Sequence, residues 1–95
     1  MIAALPADAE AYKRTATFTE ATLPAGLRGR HNTRAGVWAR ICVLRGEVLY
    51  RVFGPPLQEH LLRPGHDGLV EPTVPHQLEL RGPVELFVEF YRRPR

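Results

Sequence analysis

The sequence predicts an all-β fold, a small antiparallel barrel or double-sheet jelly roll formed as a single domain over residues 1–95, and three observations predict it. Glycine- and proline-built turn signals recur about every ten residues through the second half of the chain. The runs between them alternate apolar and polar residues with the period of two that a half-buried strand requires. No stretch carries the 3.6-residue apolar period of a long amphipathic helix.

Near the amino terminus, Ala7 to Tyr12 reads as a short helical turn capped by Asp8, and Thr15 to Thr19 as an edge strand. Val37 to Leu44 reads as a central strand. Val37, Ala39, Ile41 and Val43 share one of its faces, and Trp38, Arg40, Cys42 and Leu44 the other. Arg45-Gly46-Glu47 supplies a tight turn, so that Val48 to Phe53 returns as the second arm of a hairpin with Val48, Tyr50 and Val52 on one face. Gly54-Pro55-Pro56 ends that strand, because proline has no amide hydrogen to give to a ladder. Leu57 to Leu62 follows as a strand, Arg63 to Gly68 as a loop, and Leu69 to Glu71 as a short strand closed by Pro72 and Pro75. His76 to Leu80 places His76, Leu78 and Leu80 together on one face. Arg81-Gly82-Pro83 is the next turn. Val84 to Tyr91 closes the fold, with Val84, Leu86, Val88 and Phe90 opposed to Glu85, Phe87, Glu89 and Tyr91.

Composition narrows the function classes. Hydrophobic residues at 44% and charged residues at 24% are those of a soluble globular chain, and no run approaches the roughly 20 apolar residues of a membrane span. Met1 to Pro6 lack the basic and apolar regions of a secretory signal, so a cytoplasmic location is expected. A net charge of +3 does not point to nucleic acid, because the arginines are scattered among acids and Arg92-Arg93-Pro94-Arg95 reads as a solvated tail. Cys42, the single cysteine, cannot form an intrachain disulfide and reads as a small buried hydrophobe in Ile41-Cys42-Val43-Leu44. A short chain with bulk on both faces of its last strand is expected to form a homodimer.

The candidate chemistry rests on His31 and His76. Each stands in its own glycine- and proline-framed strand signal, and an all-β chain of this size can bring both imidazoles into one cavity to hold a divalent metal with positions open to water or substrate. The leucine face of its strand aims His76 inward. Glu79, three residues on, falls on the opposite face unless a bulge turns it. Alternation places Glu89 with Phe87 and Tyr91, away from the core face. His60 and His66, in a strand end and a turn, read as surface residues, and Arg40 as an exposed or interface residue. No Ser-His-Asp arrangement, CxxC motif or phosphate loop is present.

Three segments, Gly29-Arg30-His31-Asn32-Thr33-Arg34-Ala35-Gly36-Val37-Trp38, Val43-Leu44-Arg45-Gly46-Glu47-Val48 and Glu71-Pro72-Thr73-Val74-Pro75-His76-Gln77-Leu78-Glu79, resemble one known group, together with the closing Phe87-Val88-Glu89-Phe90-Tyr91. The chain is similar, from about Leu23 to Tyr91, to the YeaR-like and TehB-like family of small bacterial cupins, with residues 1–11 and 92–95 peripheral. The resemblance implies a cupin barrel, found free-standing or fused ahead of a tellurite-resistance methyltransferase. This sequence lacks the glycine-rich cofactor loop of such an enzyme and is expected to be the free-standing form. It further implies a link to tellurite resistance or to nitrate and oxidative stress, with no defined activity. In the general cupin pattern Gly46 matches the turn glycine, the metal-binding glutamate position falls on Ala39, and the paired histidines of the first motif are reduced to His31. His76 matches the second-motif histidine and Glu89 the closing acid, which makes His31, His76 and Glu89 the implied metal ligands, with Zn, Fe or Ni as the ion. The expected protein binds a divalent metal through two histidines and acts on or sequesters a small molecule in stress. The alternative is a non-catalytic, metal-free module that binds a ligand or a partner protein.

Overall fold

The computed structural model describes residues 4–94. Six strands and one turn of helix follow in order: β1 Glu10–Arg14, β2 Phe18–Thr19, α1 Ala25–Arg28, β3 Trp38–Val52, β4 Gln58–Leu62, β5 Gly68–Val70 and β6 His76–Arg92. Every strand pairing is antiparallel. No helix is long and apolar enough to cross a membrane among the described residues.

The largest departure from expectation lies at the two strongest turn signals. Arg45-Gly46-Glu47 and Arg81-Gly82-Pro83 are not hairpin turns, and Val37–Leu44 does not fold back on Val48–Phe53. Instead β3 and β6 each run straight through and pair with one another from Trp38↔Tyr91 to Val52↔His76, with irregular register between Val43 and Arg45 and between Gly46 and Val48. The inward positions explain why the ladder must slip there. They are odd-numbered before the glycine (Ala39, Ile41, Val43) and even-numbered after it (Val48, Tyr50), and only an irregularity changes that parity within a continuous strand. Gly46 adopts φ +72°, and the Val84 amide opposite donates to the Glu20 carboxylate at 3.0 Å. A glycine beside a charged residue signals a turn and a bulge alike; the partner strand decides between them.

The bent β3–β6 ribbon encloses the core. Ile41, Val43, Val48 and Tyr50 of β3 meet Leu78, Val84, Leu86 and Val88 of β6, with Leu62 of β4 and Val70 of β5 closing the sides. Gly68 of β5 lies so close that a Cβ there would come within 2.8 Å of Leu62 and 3.0 Å of Tyr50, which ties the first half of β3 to the second. The strand order is β1-β6-β3-β4, with β2 added on β6 and β5 on β3. The edge strands β1 and β4 do not pair with each other among the described residues, so the sheet stays open where a closed barrel was expected.

The amino-terminal expectations also change. Ala7–Tyr12 is not helical, since β1 begins at Glu10 and pairs with the end of β6, while Asp8 holds Arg93 at 3.1 Å. Of Thr15–Thr19, only Phe18–Thr19 forms a strand. Thr15 still binds β6, its amide donating to Val88 O and its hydroxyl accepting from Val88 N, both at 2.9 Å. Cys42 is not a core residue. It sits half-buried on the outer face with Sγ 3.8 Å from Asp67, and burial together with that carboxylate pushes its thiol up to about 11, which leaves it a poor nucleophile.

Candidate functional site

His31 and His76 are direct cross-strand neighbours. The His31 amide donates to His76 O at 3.0 Å and the His76 amide to His31 O at 2.7 Å, forming a β-bridge that fastens the segment before β3 onto the start of β6. Residues paired in this way project side chains to one face, and the ring centroids lie 4.1 Å apart at 61°. Each Nδ1 is 3.0 Å from a backbone carbonyl oxygen, Gly29 O for His31 and Val74 O for His76. A carbonyl can only accept, so each Nδ1 carries a proton, and in the neutral form of a ring so bonded the lone pair lies on Nε2. Tyr50 backs His76, with centroids 5.8 Å apart, and its hydroxyl donates to Leu69 O at 2.9 Å.

Both rings line a cavity of about 400 Å³. Its apolar wall includes Val37, Ala39 and Ile41 of and before β3, Val70 of β5, and Leu78, Val88 and Phe90 of β6. Its polar lining comes from Tyr12, Lys13, Asn32, Thr33 and Arg34 besides the histidines, with no carboxylate among the lining residues. Two local irregularities deliver the cations. The β1–β6 register slips between Ala11 and Lys13, and this bulge brings consecutive Tyr12 and Lys13 to the cavity. Arg34 opens a turn closed by the Val37 amide on Arg34 O at 3.2 Å, with Gly36 at φ +80°. That loop is pinned by the Thr33 hydroxyl on Val37 O at 2.8 Å and by the Thr73 amide on Thr33 O at 2.9 Å.

Among the expected site residues, the structure brings His31 and His76 together and leaves Glu89 elsewhere. Glu89 lies on the far face of β6, bonded to the Tyr91 hydroxyl and 3.7 Å from Arg14. Glu79 faces the same way and pairs with Arg51 at 3.3 Å and Arg81 at 3.6 Å. Neither lines the cavity, and no group of three His, Cys, Asp or Glu side chains is placed to share an ion among the described residues. His60 bonds Gln58 at 3.2 Å and His66 is exposed, both outside the cavity. Arg40 lies on the outer face, 5.7 Å from the Tyr91 ring centre. Sequence reasoning missed Lys13, which carries no motif, and Arg34, which stands in a family segment but was given no role there. The one usable signal was a lone lysine in an arginine-rich chain.

Burial, and secondly the His31 ring, hold the His76 imidazole below its ordinary value of 6.5, against an opposing contribution from the bond to Val74. The unfolded chain therefore takes up this proton first as pH falls. The resulting stability is intact above pH 6.5 and is lost as pH drops from there through the depressed folded value. Urea titrations at pH 7.5 and pH 5 should show a larger loss for the native protein than for His76→Gln. Equal losses would refute this assignment.

The TehB-like domain family matches residues 13–88. Two Haemophilus influenzae proteins, from strains 10810 and ATCC 51907, each described as a probable S-adenosyl-L-methionine-dependent methyltransferase TehB, are 32% identical over 84% of this chain and 30% of their own. The chain thus spans under a third of the length of the curated relatives it matches. Among solved structures, a protein from Escherichia coli K12 superposes with a TM-score of 0.88 at 22% identity, covering 99% of this chain and 100% of that one, a likeness of fold. The crystal structure of TehB from Haemophilus influenzae aligns with a TM-score of 0.84 at 27% identity, over 92% of this chain and 32% of that one.

Proposed function

The chain belongs to the TehB-like family, and from that premise we propose that it is a small-molecule-binding module of the cupin type whose paired imidazoles hold a divalent metal at the cavity wall. One observation carries this reading. Both Nδ1 atoms are spent on backbone carbonyls and both rings line one cavity, which leaves Nε2 as the nitrogen each ring can offer, and this outer-shell anchoring is the arrangement that orients histidine ligands. The donor set fits a borderline ion such as Zn, Fe or Ni that draws its remaining ligands from solvent or from the bound molecule. When bound, such an ion supplies Lewis acidity and positions open to an anion. The protein's own residues supply the rest: Lys13 and Arg34 attract negative charge, and the apolar wall excludes water. A small anionic molecule is the class of ligand this reading accommodates.

A metal-free binding module is the second reading, favoured by the engagement of Glu89 with Tyr91 and Arg14 on the opposite face. Elemental mass spectrometry of the purified protein separates the two. About one ion per chain, lost in the His31→Ala/His76→Ala variant and on acidification below pH 5, is the expected result. Failure to take up Zn, Fe or Ni at neutral pH would overturn the metal reading.

A further inference from the structure

We infer that the cavity takes an organic monoanion with an apolar body, of the class of medium-chain carboxylates, rather than a bare inorganic oxyanion. The inference deepens the proposed function by naming its ligand, and it rests on the cavity being the binding site but not on the metal.

Size and wall chemistry come first. A cavity of about 400 Å³ lies within the roughly 300–1,000 Å³ of sites for organic ligands, far beyond the needs of an ion of a few atoms. Val37, Ile41, Val70, Leu78, Val88 and Phe90 give it an apolar lining drawn from β3, β5, β6 and the residue before β3. Such a wall offers a charged oxyanion no hydrogen bonds and would strip its hydration without return. The same wall rewards a hydrocarbon body in proportion to the area covered.

Charge sets the other end of the ligand. Lys13 and Arg34 reach the cavity from separate segments, through the bulge in β1 and the turn at Gly36, and neither is engaged in an ion pair among the described residues. Both side chains are exposed, whereas His76 and the wall residues Ile41, Val70, Leu78 and Val88 are buried. The lining is therefore cationic where it meets solvent and, apart from the imidazoles, mainly apolar within. An acid enters with its carboxylate at the rim where Lys13 and Arg34 stand and with its chain laid along the apolar wall. An amine would meet like charge, and an alcohol would leave the two cations unanswered.

Isothermal titration calorimetry at pH 7.5 tests this with acetate, butanoate, hexanoate and octanoate, and with hexan-1-ol, hexylamine and tellurite as comparators. Each is titrated into chelator-treated protein and again into Zn-supplemented protein. Affinity should rise roughly fourfold per added methylene until the cavity is filled. Hexanoate should bind at least tenfold tighter than hexan-1-ol or hexylamine. The Lys13→Ala/Arg34→Ala variant, altered only at exposed positions, should lose that tenfold preference, with circular dichroism confirming its fold. Binding of hexan-1-ol as tight as that of hexanoate, acetate or tellurite as tight as hexanoate, or no saturable binding of any acid would overturn the inference. A chain-length ladder in chelator-treated protein upholds it even if no metal is taken up. Metal uptake without a ladder overturns it and leaves the metal reading standing.

Discussion

Gly46→Ala should destabilise the protein by about 3 kcal/mol or more, a large part of the margin of a small domain. Two costs combine. The residue sits at φ +72°, where any side chain is strained, and a Cβ would be driven into the Pro83 carbonyl, with Val84 Cα only 3.1 Å away. Those atoms belong to the backbone of the facing strand, so no rotamer change can relieve the overlap. Gly36→Ala separates the contributions, because Gly36 has φ +80° but nothing within 4 Å of its Cβ position. Its cost should be only about 1–2 kcal/mol. Urea unfolding followed by circular dichroism checks both. A Gly46→Ala loss no larger than that of Gly36→Ala would show that the two long strands do not press together at this bend.

Tyr50 carries the second large effect. Its side chain is 1% exposed, packs on the His76 ring and against Gly68, and donates its hydroxyl to Leu69 O. Tyr50→Ala removes a buried aromatic ring at the junction of β3, β5 and the site, and should cost about 3–5 kcal/mol. Tyr50→Phe keeps the ring and removes one buried hydrogen bond, leaving Leu69 O without this donor, and should cost about 1–2 kcal/mol. Burial first, and then the Glu71 carboxylate, push the phenol well above its ordinary value, so it remains a donor through the alkaline range. The two substitutions should also separate structure from site. Tyr50→Phe retains the backing of His76, so its histidine proton resonances should stay close to those of the native protein. Tyr50→Ala should shift the His76 signals or broaden them. Equal stability losses for the two variants would show that the ring contributes nothing beyond its hydroxyl.

Alternation is a local property, so it was legible wherever a strand formed. Val84, Leu86 and Val88 point inward as the pattern requires, as do Val48 and Tyr50, and His76 shares the buried face with Leu78. The same rule correctly set Glu89 with Phe87 and Tyr91, and the family motif that made Glu89 a ligand ran against it. Thr15–Thr19 forms a strand only at Phe18–Thr19 and Ala7–Tyr12 is not helical, and neither segment carries an apolar period. Their structure is imposed by β6, which pairs with Glu10–Arg14 and receives Thr15.

What the sequence determined by itself is the all-β class, the alternation of faces along the runs of β3 and β6 and the candidacy of His31 and His76, since each follows from residue type and a period of two. Tertiary structure alone decided three things. It made Gly46 a bulge within a continuous strand where a hairpin turn was equally signalled. It set the two imidazoles in direct register with each Nδ1 on a backbone carbonyl. It brought Lys13 and Arg34 to the cavity that the two imidazoles and the apolar wall line. Each depends on which distant segment lies alongside, and backbone hydrogen bonding between strands is nearly indifferent to side-chain identity. The partner is chosen by the burial of the whole apolar face, a quantity that exists only once the chain has folded.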